Sequence, residues 1–264
     1  MTCDFFVTSQ IDSRRASKWV VYVGNYGYLY KMKCGALVFN FSQAYEAGEF
    51  LPWLRSQAED LEELDLRKLE GTCCYCESSS ADEIRRKLPA KLPLLRWLDS
   101  GDYHYLSQLL AVRETEPFHL VLLDNHPDNQ DPAFEGVLSC GGWVKALQEQ
   151  QPLLRSVLTV GPEGCPQTLE DAWIEERRGE RVYVSLDKDV MDRAFARTDW
   201  SQGTHTLEEV KGWLGKLLDG RLQVVAVDIC GELAPAKGAT PEDLSVNLKT
   251  NKELQEYILG HLCR

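Results

Sequence analysis

The sequence lacks long apolar runs, internal repeats and glycine- or serine-rich linkers. A membrane-spanning helix needs about 20 consecutive apolar residues, and no run approaches that length. The N-terminal segment Met1–Arg15 has no basic stretch followed by an apolar one, so a secretory signal is not expected. These absences predict a single soluble domain over residues 1–264, and a chain of this length can bury a substantial core.

Positive charge is also in deficit, because 29 Lys and Arg residues stand against 41 Asp and Glu residues. The formal net charge is −12. Nucleic acids and anionic membranes are bound by basic surfaces, so we expect neither as a partner. Solubility is one explanation of this acidity, and the clustering of aspartates in the motifs described below is the other.

The nine cysteines are odd in number and scattered along the chain. This distribution favours reduced thiols and a cytoplasmic location. Three of them lie in the segment Thr72–Cys76, which has no second Cys or His pair at zinc-finger spacing. We therefore predict a buried strand there, in which small thiols behave as apolar side chains.

Short apolar runs alternate with longer helical patterns, which is typical of a parallel sheet with crossover helices. Several runs are almost continuously apolar, as in strands covered on both faces. The predicted fold is α/β, with three α/β/α layers and a largely parallel sheet. In the N-terminal quarter of the chain (about 70 residues), Val20–Phe41 has an alternative as an antiparallel hairpin turning at Gly24–Gly27. The expected strands lie near residues 19–23, 36–40, 72–76, 94–98, 119–124, 156–160, 181–187 and 222–228.

Acidic residues follow two of the apolar runs directly. Asp124, His126 and Asp128 come after one run at a spacing of two residues, and Asp187 and Asp189 end another at the same spacing. Side chains at this spacing point to one side while the chain stays extended. Open α/β sheets carry their sites beyond the carboxyl ends of the strands, so the two sets are expected to converge.

A third set, Ser100–Tyr105, follows the 94–98 run and contains His104. Carboxylates gathered from several strand ends repel one another strongly unless a cation lies between them. Carboxylate and imidazole ligands together suit Mn²⁺, Zn²⁺ or Fe²⁺. The three sets together predict a metal site.

These motifs resemble those of arginases, agmatinases and formiminoglutamases, the ureohydrolase superfamily. Asp124–Asp128 matches the D-x-H-x-D strand end of that family, and Ser185–Asp192 matches its S-x-D-x-D-x-x-D run. Gly101–His104 is a looser counterpart of the G-G-D-H turn, with one residue inserted before the histidine. The resemblance covers roughly Leu94–Pro235 and implies an arginase/deacetylase-like fold.

The resemblance further implies a hydrolase of C–N bonds other than peptide bonds, acting on a small guanidino or formimino compound. Two Mn²⁺ ions would hold a hydroxide that attacks the trigonal carbon. In this scheme Asp128 takes up the proton. The family also implies a homo-oligomer, although no segment indicates an interface. The implied ligands are bridging Asp124 and Asp187, with His104 and Asp128 at one ion and His126 and Asp189 at the other.

Three positions depart from the family pattern or concern the proton transfer. Cys140 stands where many members have a proton-shuttle histidine, and its ordinary pKa of about 8.5 suits that role less well. His205, on a later loop, is an alternative acid. Glu232 matches the family's substrate-facing glutamate, but one extra residue separates it from Asp228.

Two alternative functions stay open on the sequence. Related deacetylases hydrolyse acylated amines with one zinc ion and do not need Asp128 and Asp189 as ligands of a second ion. The presence of both aspartates favours two metals. The other alternative is a metal-binding protein that has lost the proton shuttle and catalyses nothing, and Cys140 keeps this idea open.

Overall fold

The computed structural model describes residues 35–57, 60–132, 134 and 136–262. Seven strands form one parallel sheet in the order β2-β1-β4-β9-β8-β5-β7. Two short strands, β3 and β6, pair antiparallel beside it. The strands are β1 (Ala36–Asn40), β2 (Leu61–Asp65), β3 (Tyr75–Cys76), β4 (Leu95–Trp97), β5 (Phe118–Leu123), β6 (Leu138–Ser139), β7 (Leu154–Val160), β8 (Arg181–Asp187) and β9 (Gln223–Cys230).

Helices cover both faces of the sheet, so the predicted three-layer α/β/α fold is confirmed. Successive side chains of β8 point to opposite faces. Val184 joins the core beneath α2, α7 and α8, whereas Tyr183 joins the core beneath α3, α4 and α5. The helices are α1 (Ala44–Ala47), α2 (Phe50–Gln57), α3 (Ser78–Lys87), α4 (Leu106–Ala111), α5 (Trp143–Gln150), α6 (Asp171–Glu176), α7 (Leu207–Leu218) and α8 (Pro241–Leu262).

The N-terminal predictions fare differently. β1 pairs parallel with both β2 and β4, so the hairpin alternative does not hold for this strand. Its ALVFN residues are all buried, as suits an interior parallel strand. The strand predicted at residues 19–23 lies outside the described residues, as does much of the hairpin. The single domain predicted over 1–264 includes residues 1–34 and therefore stays a prediction.

Two other segments differ from the sequence-based expectation. The edge strand β2 has the sequence LEELD, and because three of its five residues are acidic it does not form an apolar run. Within Thr72–Cys76 only Tyr75–Cys76 is a strand, and Cys73 is exposed, so the buried-strand prediction was wrong there. In the described part of the chain, no helix is long and apolar enough to cross a membrane.

Candidate metal centre

The candidate site lies where three neighbouring strands, β5, β8 and β9, end at the same edge of the sheet. Asp124 directly follows β5, and Asp187 is the last residue of β8. The carboxylate of Asp187 accepts a hydrogen bond from the backbone N–H of Asp189 at 2.9 Å, which tightens the turn after β8. The parallel sheet therefore brings the two aspartate motifs together, as their spacing predicted.

His104 points its Nδ1 into a group of three carboxylates. This atom lies 3.0 Å from Asp128 Oδ2, 3.3 Å from Asp124 Oδ2 and 3.5 Å from Asp187 Oδ2. Its other ring nitrogen, Nε2, lies 2.8 Å from the hydroxyl of Ser185. A histidine held through one nitrogen by a hydroxyl presents the other nitrogen in a fixed direction, as metal-binding histidines do.

The Ser185 hydroxyl belongs to a buried chain of hydrogen bonds. It lies 3.1 Å from Ser107 Oγ, and Ser107 donates to Asp228 at 2.9 Å. With the Asp228 carboxylate as the final acceptor, each hydroxyl donates towards it and Ser185 accepts from His104 Nε2–H. This direction places a proton on Nε2 and turns Nδ1 towards the carboxylates, where it can bind either a proton or a metal cation.

His126 has the same arrangement on the other side of the cluster. Its Nδ1 lies 2.8 Å from Asp189 Oδ2 and 3.5 Å from Asp124 Oδ1, and its Nε2 lies 2.8 Å from Ser201 Oγ. Asp124 therefore lies between the two histidines, with one carboxylate oxygen towards each. The structure brings all six predicted metal ligands into one cluster.

The cluster is buried and rich in negative charge. Burial, followed by repulsion from Asp189, raises the pKa of Asp187 to about 6, and burial with repulsion from Asp124 raises that of Asp189 to about 7. Burial likewise raises the pKa of Asp124 and Asp128. Without a cation, protons would have to offset part of this charge.

Both histidines respond to these carboxylates. Burial by itself would lower the pKa of His104, but hydrogen bonds to Asp124 and Asp128 raise it well above the ordinary value. Hydrogen bonds to Asp124 and Asp189 raise the pKa of His126 to about 11. The surrounding carboxylates therefore favour a positive charge at each imidazole.

The residues fit a pair of divalent cations. The ligand atoms of His104, Asp124 and Asp128 all lie within 4.8 Å of one another, as do those of Asp124, His126 and Asp189. These two groups share Asp124, which is buried and directs Oδ2 towards His104 and Oδ1 towards His126. Carboxylate oxygens with imidazole nitrogens are the donor set preferred by Mn²⁺, Zn²⁺ and Fe²⁺.

A cleft of about 210 Å³ opens onto this cluster. Cys140 contributes to its wall, and burial together with the nearby Asp128 raises the pKa of the thiol to about 12. The thiol therefore keeps its proton at neutral pH. The cleft is lined by Cys74, Tyr75, Gly101, His104, Asp124, His126, Asp128, Gln130, Ser139, Cys140, Gly141, Asp187, Asp189 and Trp200.

Two predicted site residues are not brought to the cleft. Glu232 is buried, where it accepts hydrogen bonds from Lys188 and from the Asn251 amide at 2.7 Å. The inserted residue explains this position, because β9 runs on to Cys230 and the chain then turns at Gly231 with φ +95°. A Cβ on Gly231 would lie 2.4 Å from Asp187 Oδ1, so this turn requires glycine.

His205 is the other residue away from the cleft. It is buried directly before the α7 cap, with its ring 4.8 Å from that of Trp213 and its Nδ1 3.8 Å from Glu209 Oε1. The structure therefore offers no contact between His205 and the aspartate cluster. Of the two candidate proton donors, Cys140 is the one at the cleft.

Several residues around the cluster were missed in the sequence. Trp143 donates its indole N–H to Asp128 Oδ2 at 2.7 Å, and the Cys230 thiol lies 3.0 Å from Asp187 Oδ2. Ser185 was detectable, because it precedes Asp187 by two residues on one strand and so faces the same side. Cys230 needed the strand register, in which it pairs with Asp187. Nothing in the sequence indicated Trp143.

Comparisons with known proteins agree with this geometry. No protein-family profile matches the chain. A Thermotoga maritima protein described only as uncharacterized is 28% identical over 178 residues, covering 64% of this chain and 70% of that protein.

Among solved structures, proclavaminate amidino hydrolase from Streptomyces clavuligerus aligns with a TM-score of 0.62 and 18% identity, covering 88% of this chain and 93% of that one. A hypothetical agmatinase from Burkholderia thailandensis aligns with a TM-score of 0.58 and 17% identity, covering 90% and 89%. This chain has the ureohydrolase fold. Formimidoylglutamase from Bacillus subtilis shares it with a TM-score of 0.58 and 13% identity, covering 88% of each chain.

The resemblance drawn from the motifs is thus confirmed at the level of the fold. The ureohydrolase fold also accounts for the position of the cluster at the carboxyl ends of β5, β8 and β9, where open α/β sheets bind ligands.

Proposed function

We propose that this chain is a metal-dependent hydrolase of C–N bonds other than peptide bonds, acting on a small guanidino, amidino or formimino compound. One observation carries the proposal: two His/Asp groups, each with its ligand atoms close together, share the buried Asp124. The proteins of similar fold, among them an amidino hydrolase and a hypothetical agmatinase, favour this substrate class over others.

The proposed cofactor is a pair of Mn²⁺ ions. Asp124 and Asp187 would contact both ions, and each ion would take one histidine and one further aspartate, in the arrangement that the motifs imply. Bound divalent cations supply Lewis-acid activation of water near neutral pH. The four aspartates also match the four positive charges of such a pair, which relieves their mutual repulsion.

We assign the proton transfer to Asp128. The Trp143 indole donates to its Oδ2 and holds the carboxylate at the cleft, where it can accept a proton from a reacting group. Cys140 keeps its thiol proton at neutral pH and is a weak acid, so its predicted shuttle role is the less favoured. Catalytic roles for His205 and Glu232 remain predictions from the resemblance, and the positions of both residues argue against them.

The deacetylase alternative requires one zinc ion. The two overlapping ligand groups support two ions, because a single ion held by Asp124, His126 and one later Asp would leave the group of His104 and Asp128 unused. The non-enzymatic alternative predicts the same metal content as our proposal but no turnover. Metal stoichiometry therefore separates the first rival, and a turnover assay separates the second.

The test is a screen of the Mn²⁺-loaded protein over guanidino, amidino and formimino compounds, with acetyl-lysine peptides measured beside them. Release of urea, ammonia or formamide from one class, reduced at least about 100-fold in Asp128→Asn, would support the proposal. Turnover of acetyl-lysine alone with one zinc per chain would replace it with the deacetylase. Absence of turnover from every compound would leave the non-enzymatic protein.

A small-molecule partner follows from the proposed reaction. A homo-oligomeric state and a cytoplasmic location remain predictions. The six described cysteines, which are all free thiols, are compatible with the location.

A further inference from the structure

Trp200 forms part of the cleft wall beside the aspartate cluster, and 40% of it is exposed. Its indole N–H donates to Asp102 Oδ1 at 3.1 Å. Lys237 in turn binds Asp102 Oδ2 at 2.6 Å, and the thiols of Cys73 and Cys74 lie 3.2 and 3.1 Å from its two oxygens. The indole is thus fixed by a carboxylate that three other side chains hold in place.

Gly101 allows the indole to approach the metal ligands. A Cβ on Gly101 would lie 2.7 Å from Trp200 Cδ1 and 3.3 Å from Asp187 Oδ2. The pyrrole edge of Trp200 therefore lies against Gly101, next to Asp187. The ring centroid is also 6.1 Å from that of His126, with an angle of 72° between the planes. Trp200 accordingly lies between Gly101 and His126 at the edge of the cluster.

The remaining indole surface can bind a cation. The indole N–H binds Asp102, and the Cδ1 edge packs against Gly101. Trp200 therefore presents its ring surface, and not a hydrogen-bond donor, to the cleft. The negative face of an indole attracts cations within about 6 Å, and planar guanidinium groups stack on it. Glu232, which the resemblance assigned to substrate recognition, is bound by Lys188 and does not line the cleft.

The other described side chains of the cleft wall are uncharged. Apart from the aspartates and histidines of the cluster, the wall carries no carboxylate and no Lys or Arg among the described residues, so a ligand cation has the indole and the cluster as its partners there. These uncharged lining residues are Cys74, Tyr75, Gly101, Gln130, Ser139, Cys140, Gly141 and Trp200.

We propose that Trp200, seated against Gly101, forms an aromatic subsite that takes a planar, delocalised cation, a guanidinium or amidinium group, against its ring surface. The choice of this group as part of a substrate rests on the function proposed above, but binding of the cation does not. Tyr75, which is 45% exposed, and Gln130 also line the cleft, and both are uncharged.

The test measures binding to the Mn²⁺-loaded protein by calorimetry, with methylguanidinium chloride as probe and N-methylurea as its neutral planar counterpart, at equal ionic strength. We expect at least about tenfold tighter binding of methylguanidinium in the wild type. Trp200→Leu should weaken that binding about tenfold, whereas Trp200→Phe, which keeps an aromatic face, should retain most of it. Metal content is measured for each variant.

Trp53 provides a matched control, because Lys252 already lies over its ring at 5.4 Å and it is not part of the cleft wall. Trp53→Leu should bind methylguanidinium as the wild type does. If Trp200→Leu loses metal, Gly101→Ala replaces it: the added methyl displaces the indole without removing it, and binding should again weaken about tenfold.

Two results would overturn the subsite: equal affinity of the wild type for the two probes, or unchanged methylguanidinium affinity in a metal-loaded Trp200→Leu or Gly101→Ala protein. The outcome is independent of turnover. Binding that depends on Trp200, combined with no hydrolysis of any compound, would keep the subsite and reject the proposed function. Hydrolysis of a guanidino compound, combined with either of the two overturning binding results, would do the reverse.

Discussion

Two buried charged clusters begin at one tripeptide, Asp187–Asp189, and they are balanced in different ways. Lys188 turns away from its neighbours and pairs with Glu232, and Asn247 and Asn251 donate to the same carboxylate at 3.0 and 2.7 Å. The charge of Lys188 is therefore not available to the aspartate cluster, in which the four carboxylates contact only two histidines among the described charged side chains.

The difference separates a structural cluster from a binding site. Removing two charges from water is costly, and the Lys188–Glu232 pair recovers that cost because the chain supplies both charges and the remaining hydrogen bonds. The aspartate cluster has no such internal partner, since neither Lys nor Arg contacts its carboxylates among the described residues. It is therefore the cluster that requires a cation from solution.

The largest expected effect concerns Asp124. Replacement by Asn should abolish binding of both ions, because Asp124 belongs to both ligand groups. Asp187→Ala should do the same and abolish any turnover. Asp192→Asn, in the last aspartate of the same run, is the matched control and should bind metal normally, since Asp192 accepts from the backbone N–H of Ala194 instead. Calorimetric titration with Mn²⁺ checks all three, and normal binding in Asp124→Asn would refute the shared-ligand arrangement.

The next effect is a change in the free energy of unfolding that should arise at the Lys188–Glu232 pair and not at the aspartate cluster. Lys188→Met leaves Glu232 buried without its counter-charge and should lower the free energy of unfolding by about 3–5 kcal/mol. Lys188→Met with Glu232→Gln should recover much of that loss, because no charge is then left unpaired. Denaturant titrations of the single and double variants measure this. Metal stoichiometry should be unchanged in both, and a loss of metal would show that the clusters are coupled.

A smaller effect depends on pH. The raised pKa of Asp187, about 6, and of Asp189, about 7, means that these groups favour the metal-free fold at low pH and cost stability as the pH rises through these values. Bound cations remove that cost. The increase in melting temperature on adding Mn²⁺ should therefore grow from pH 5.5 to pH 8, as scanning calorimetry would show. An increase that is the same at both pH values would mean that these aspartates do not bind the cation.

The smallest effect is expected at Cys140. Its thiol stays protonated at neutral pH, so Cys140→Ala should lower kcat less than about tenfold, well below the loss expected for a group that transfers the proton. Steady-state kinetics on the substrate found in the screen, beside His205→Gln, provide the measurement. A loss of about 100-fold or more in Cys140→Ala would restore the thiol as the proton donor.

The parts predictable from the sequence were those set by local pattern. The apolar runs gave β5, β8 and β9 within a few residues, and the two-residue spacing of the aspartate motifs placed their side chains at the same edge. Because neighbouring parallel strands end at the same edge of a sheet, a parallel arrangement is enough to bring these strand ends together. The fold and the six candidate metal ligands follow from these two facts and the family resemblance.

The remainder depended on contacts between distant segments. The sequence pattern indicated that Glu232 is a substrate ligand. In the structure, the turn at Gly231 places this residue against Lys188, with which it forms an ion pair. Trp200, Cys73 and Cys74 all contact the carboxylate of Asp102. In the sequence, Asp102 is 98 residues from Trp200, 29 from Cys73 and 28 from Cys74. No local pattern carries such pairings, because they arise from how the loops pack above the sheet.

The central claim, that buried aspartates from two strand ends await two divalent cations, is tested most directly by counting the metal bound to the wild-type chain. Native mass spectrometry after loading with Mn²⁺ and removal of excess metal should give two ions per chain. One ion per chain would contradict the shared-ligand arrangement, and none would show that protons alone balance the cluster.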